Sequence, residues 1–214
     1  MPIADEATEF LIIRHGQSAG DLEERHEGRA DLPLTDQGRA QARAAAAWIA
    51  AQVPPDRILS SPLRRAAETA AILGVQLALP VVHLDELMEF NNGVLAGLTY
   101  AEGAARYPAP PGGRKAHEPV PDGECDITFR ARAELLWSRL VDETPRGQRL
   151  AIVAHGGIIN MLFRAFVNLP LDTPVRCVTG DTGIHLWRIE GSARYILFTN
   201  RADHLAGTDA SQNW

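Results

Sequence analysis

Phe10-Leu11-Ile12-Ile13-Arg14-His15-Gly16 is a run of apolar β-formers that ends abruptly in Arg, His and Gly. Leu150-Ala151-Ile152-Val153-Ala154-His155-Gly156-Gly157 is its partial twin far along the chain. An uninterrupted apolar run followed by glycine predicts a parallel strand, buried on both faces, that runs into a turn. In open α/β sheets, ligands sit just beyond the carboxyl ends of such strands. Two strands that each deliver a histidine to that edge place two imidazoles in one crevice, one with an arginine attached. That set suits an anion and a nucleophile.

Outward from the first strand, a polar loop runs from Gln17 to Pro33, and Thr35-Asp36 opens an Ala-rich helix to about Gln52. Thr35 suits the cap and Asp36 the first turn. Arg57-Ile58-Leu59-Ser60 predicts a short strand; Ser61-Pro62 then reads as a cap with proline at the first position of a helix reaching about Leu73. Pro80 to Leu84 predicts another strand. Residues 91–123, rich in Gly and Pro, predict an irregular lid or substrate loop. A helix over about 124–141, the second His-bearing strand over 149–155 and a helix over 157–167 follow. A hairpin of 182–189 with 194–198 comes next, and after Leu205 a small, polar and mobile tail. This alternation predicts a three-layer α/β/α sandwich, its central sheet mostly parallel with one antiparallel strand near the C-terminus. At 214 residues, 1–214 is expected to form one domain.

The apolar fraction of 45% and charged fraction of 22% are those of an ordinary globular protein. A net charge of −6 argues against nucleic acid as partner, because binding the phosphate backbone leaves a basic footprint. The acidic start, Met1 to Glu6, lacks a signal-peptide pattern, and no apolar run approaches the roughly 20 residues of a membrane span. Cys125 and Cys177 are too few for a disulfide framework or a cysteine metal site. A reduced, cytoplasmic protein with no membrane partner is expected, with a homodimer left open.

Phosphoryl transfer needs positive charge around the transferred oxygens, an in-line nucleophile and an acid for the leaving group. Arg14 and His15 stand just past the first strand, and Arg65 in the first turn of a helix whose positive end favours anions. His155 precedes Gly156 and Gly157, which let the backbone approach closely. Any one of these alone would be ordinary, but all four fall at strand ends or helix starts.

The blocks around them resemble the histidine phosphatase superfamily, in its phosphoglycerate-mutase-like branch. Arg14-His15-Gly16-Gln17-Ser18 is similar to its opening signature. Arg25 to Ala42, with Gly28, Asp31, Pro33-Leu34-Thr35, Gly38 and Gln41, resembles the next block, and Ser61 to Ala70 the one carrying the second arginine, at Arg65. His155-Gly156-Gly157 and Asn200 to Leu205 resemble the last two. The family's acid block is matched by Leu87 to Gly97 with Glu89 as the acid, whereas Glu86 puts the glycines out of register.

The resemblance implies a metal-independent, cofactor-free phosphomonoester hydrolase acting on a small phosphorylated metabolite. Neutral His15 attacks phosphorus while Glu89 protonates the leaving alkoxide and then activates water. Arg14, Arg65 and His155 hold the oxygens, with Ser18, Gln17, Asp21 and Gly156 beside the substrate. His15 needs its other ring nitrogen tied to an acceptor. Three residues depart from the pattern: Asp21 where Asn is frequent, Glu27 where Gln is common, and Cys125 where Ser is. A charged Asp21 would repel phosphate, so it is expected to be turned away or protonated. Two other readings stand beside hydrolysis, a phosphoglycerate-mutase-type phosphoryl transfer and a catalytically weak phosphate-binding protein. Mutases of this kind carry a longer insertion and an Asn soon after the second His-Gly, where this chain has Gly157. Arg106, Tyr107, Arg114, Lys115 and His117 are the candidates for meeting a second anionic group on the substrate.

Overall fold

Every second residue of the first strand packs on the opposite side of a central sheet, and both sides are covered. Phe10 and Ile12 belong to one apolar core with Trp137, Leu162 and Phe166, while Leu11 and Ile13 belong to another with Ala45, Ile49 and Leu73. Burial on both faces is why the run is apolar without alternation. In the computed structural model, residues 3 and 6–206 are described. The acidic start, Ile3 and Glu6 apart, and the polar tail from 207 onward lie outside the described residues.

The strands are β1 (Ala7–Arg14), β2 (Arg57–Ser60), β3 (Val81–His83), β4 (Arg149–Ala154), β5 (Ile184–Glu190) and β6 (Ala193–Arg201). They form one sheet in the order β3-β2-β4-β1-β5-β6. β1, β2, β3 and β4 run parallel, and β5 runs antiparallel to both β1 and β6. The helices are α1 (Ala19–Leu22), α2 (Asp36–Gln52), α3 (Arg64–Leu77), α4 (Tyr100–Arg106), α5 (Asp126–Glu143) and α6 (Gly156–Phe166). Helices α2 and α3 cover one face; α5 and α6 cover the other, where Trp187 stacks on Phe166 at 5.1 Å.

Three local expectations are corrected. Ser61 does not cap α3: its Oγ accepts from the Leu63 amide at 3.2 Å in a turn before the helix, and Asp31 Oδ1 accepts from the Arg64 amide at 2.6 Å instead. Within 91–123 lies the helix α4, held by a capping box in which Thr99 and Glu102 each serve the other's backbone amide. α1 is a single turn with the same device, Ser18 and Asp21. Both boxes are short enough for flanking glycine and proline to hide them.

Candidate active site

His15 and His155 leave the sheet side by side because of the strand register. Ile13 pairs with Val153 and Arg14 with Ala154, so the next residue of each strand is a histidine at the carboxyl edge. Both rings are buried, and their centroids lie 5.1 Å apart. His15 Nδ1 lies 2.7 Å from the Gly16 carbonyl oxygen. A carbonyl can only accept, so the proton sits on Nδ1 and the lone pair on Nε2. Arg65 Nε donates to that lone pair at 3.2 Å. Burial, then the Arg65 and Arg14 guanidiniums, hold the His15 imidazole well below its ordinary value. His155 is likewise held neutral by burial, Arg65 and His15. Its Nε2 meets Ser61 Oγ at 2.8 Å, and its Nδ1 is buried with no partner.

The two arginines are fixed from behind. Arg65, fully buried in the first turn of α3, donates to the Ala30 and Gly28 carbonyls at 2.9 and 2.8 Å. Arg14 donates to the Thr179 carbonyl at 2.9 Å and lies 3.5 Å from both Asp21 and Asp181. The 179–183 segment is in turn held by His185 on Thr179, His204 on Thr182 and Asn200 on Gly180, each at 2.8–2.9 Å. Burial pushes the Asp181 carboxyl up to about 6 against the pull of Arg14.

Glu89 reaches the same place from the other side of the sheet edge. Its carboxylate accepts from the Gly157 and Ile158 amides at 2.7 and 3.1 Å at the start of α6, and from Phe90 at 2.8 Å. A helix start favours such an anion. A Cβ at position 157 would collide with that carboxylate, so glycine there makes room for the acid. Glu86 points away to Arg139 on α5 at 3.0 Å. The Glu89 loop is clamped by Arg132 of α5, which donates to the carbonyls of Glu86, Met88 and Glu89 at 2.7, 2.8 and 3.2 Å and pairs with Glu124 at 2.7 Å. Arg132→Ala is expected to lower turnover about tenfold or more, because misplacing an acid by about 1 Å is that costly. The loss should be largest on substrates with poor leaving groups; a uniform loss would assign Arg132 to stability alone.

The remaining expected residues divide. Ser18 is buried as the cap of α1, its Oγ between the carboxylates of Asp21 and Glu27. Asp21 is not turned away from the site: it caps α1 and faces Arg14. Gly156 opens α6 with open space where a side chain would be. Gln17 is no part of the pocket wall: its buried amide oxygen accepts from Thr35 at 2.8 Å, which ties the loop to α2. Arg114 is also not brought to the pocket; it is exposed and bonded to the Pro119 carbonyl at 3.3 Å. Arg106 lies over the Tyr107 ring. The mouth of the pocket, about 330 Å³ in volume, is formed instead by Arg25, His26, Phe90, Asn92 and Tyr100 of α4. Sequence reasoning missed these, although the Thr99-x-x-Glu102 signature that starts α4 is visible.

A neutral imidazole with its lone pair turned toward two guanidiniums, at the end of a parallel sheet, fits enzymes that pass a phosphoryl group through histidine. The chain belongs to the histidine phosphatase superfamily (branch 1), whose family model matches residues 10–201. Among its relatives is a glucosyl-3-phosphoglycerate phosphatase of Mycolicibacterium vanbaalenii, 35% identical over 175 residues that cover 76% of each chain. Another is a 2,3-bisphosphoglycerate-dependent phosphoglycerate mutase 2 of Gloeobacter violaceus, 34% identical over 72% of this chain and 73% of its own. The solved structure of a mycobacterial glucosyl-3-phosphoglycerate phosphatase superposes with a TM-score of 0.78 at 30% identity, over 91% of this chain and 99% of that one.

Proposed function

We propose that the protein is a metal-independent phosphomonoester hydrolase acting through a phosphohistidine on His15, on small phosphorylated metabolites in the cytoplasm. The observation that carries it is the His15 hydrogen bond to the Gly16 carbonyl, which leaves Nε2 unprotonated beside Arg65. Nε2 attacks phosphorus, and the leaving oxygen takes its proton from Glu89. Water then attacks in line and gives a proton back to Glu89, and phosphate departs from Nε2. The free Nδ1–H of His155, with Ser61 on the other ring nitrogen, is available to a phosphoryl oxygen as charge develops. Arg14 and Arg65 take the others. Both cysteines are unpaired, which suits a reducing compartment.

Phosphate release from a panel of phosphomonoesters, with glucosyl-3-phosphoglycerate among them and a chelator present, tests the reading. Glu89→Gln should cost about 10²–10⁴-fold in turnover of alkyl phosphates, the usual worth of a positioned acid. It should cost far less with p-nitrophenyl phosphate, whose leaving group needs no proton. Equal losses on both substrates would remove Glu89 from the acid role. The mutase reading is supported by the Gloeobacter relative. Isomerisation of a phosphoglycerate without phosphate release would establish it in place of hydrolysis.

A further inference from the structure

The pocket as it stands is a poor match for a phosphate dianion. Its free cations are Arg14 and Arg65, since Arg25 at the mouth is paired with Glu23 at 2.6 Å and with the Gly97 carbonyl. Facing them are the carboxyls of Asp21 from α1, Glu27 from the loop after it, Glu89 from the loop before α4, and Asp181 from the segment before β5. Both histidines are neutral. Three of the carboxyls have work elsewhere: Glu89 takes backbone amides, Asp21 caps α1, and Asp181 backs Arg14.

Glu27 is different. Its Oε1 lies 3.7 Å from Arg65 Nε, the same atom that lies 3.2 Å from the His15 lone pair. A phosphoryl group under attack by His15 and held by Arg65 is therefore within reach of this carboxyl. Glu27 also shares the Ser18 hydroxyl with Asp21, whose Oδ2 lies 3.0 Å from the same oxygen. One hydroxyl proton cannot serve two carboxylates, so the arrangement has room for a second proton. Asp21 has two further donors, the Ser18 amide at 2.8 Å and Arg14, whereas Glu27 has Arg65 alone.

We propose that Glu27 meets the phosphoryl group as the neutral acid, donating its O–H to a phosphoryl oxygen, so that binding of the dianion takes up one proton at Glu27. Burial pushes the Glu27 carboxyl up and Asp21 adds to it, while Arg65 pulls the other way. A bound dianion would push it further in the same direction. The proton comes from solvent and returns there when phosphate leaves. The proposal rests on the phosphoryl site lying where the proposed function puts it.

Sulfate tests it, because it keeps both charges from pH 5 to 8 and any proton taken up belongs to the protein. Titration calorimetry in buffers of different ionisation enthalpy counts that proton. For the wild type, sulfate affinity should fall by up to about tenfold per pH unit once the pH passes the free-state value of Glu27, since the bound state holds one proton more. Glu27→Gln keeps the shape and removes the charge. It should bind sulfate at least about tenfold more tightly at pH 8, take up one proton fewer, and melt at the same temperature. The same pH slope and proton count in both proteins would overturn the proposal and leave the phosphatase reading intact. Failure of both to bind sulfate at any pH would remove the oxyanion site, and the phosphatase reading with it.

Discussion

His15→Ala is expected to form no phosphoenzyme and to lose turnover by a factor on the order of 10⁶, the scale seen when a covalent nucleophile is deleted elsewhere. The loss should be that large because nothing else near the phosphoryl position can replace it. His155 is 5.1 Å away ring to ring, but its Nε2 is engaged by Ser61 and its other nitrogen is the donor this tautomer offers to the ligand. Glu89 has its oxygens on three backbone amides. Rapid quenching of the wild type with a labelled phosphomonoester should trap an acid-labile phosphoryl group, and the variant should trap none. Sulfate binding should survive in the variant, since Arg14 and Arg65 are positioned by carbonyls and carboxylates rather than by the His15 ring. Turnover within tenfold of wild type in His15→Ala would refute the mechanism outright.

The two histidines were legible because their signal is local and strong. An apolar run that ends in His-Gly announces both a buried strand and the edge where it stops, and the parallel register does the rest. Glu89 was legible only through block spacing, since its place at the start of α6 depends on a loop 68 residues away in sequence. Arg132 and the 179–183 segment could not be read at all. Arg132 looks like any helix-surface arginine until α5 is laid against the Glu89 loop. Thr179 and Asp181 sit in a stretch without periodicity that β1 and β5 happen to bring behind Arg14. Arg114 shows the converse error: basic residues in a Gly/Pro-rich stretch suggested anion recognition, but charge alone carries no position. Asp21 was read from its neighbours' chemistry and not from its own backbone. Three residues after Ser18, a carboxylate is the partner a helix start asks for.

Glu9 carries the same lesson into stability. In sequence it is a charge beside an apolar run, which reads as a strand end in water. In the sheet it is fully buried, and its direct neighbours on both sides are arginines, Arg149 on β4 and Arg188 on β5. Each arginine grips it with two nitrogens, at 2.8 and 2.5 Å from Arg149 and at 2.9 and 2.6 Å from Arg188. Arg149 also donates to the Pro54 carbonyl at 2.8 Å, which ties the end of α2 to the sheet. Glu9→Ala leaves Arg149 buried without its counter-charge, and breaking a buried pair in this way costs about 3–5 kcal/mol. That is a large share of the 5–15 kcal/mol that holds a typical domain folded. Urea unfolding should show the midpoint falling with little change in slope. The site should be spared: His15 is six residues further along β1, about 20 Å at the rise of a strand. At temperatures where the variant is folded, kcat and KM should therefore match the wild type. A shift of under 1 kcal/mol would mean that water reaches Arg149 and Arg188 when the carboxylate is gone.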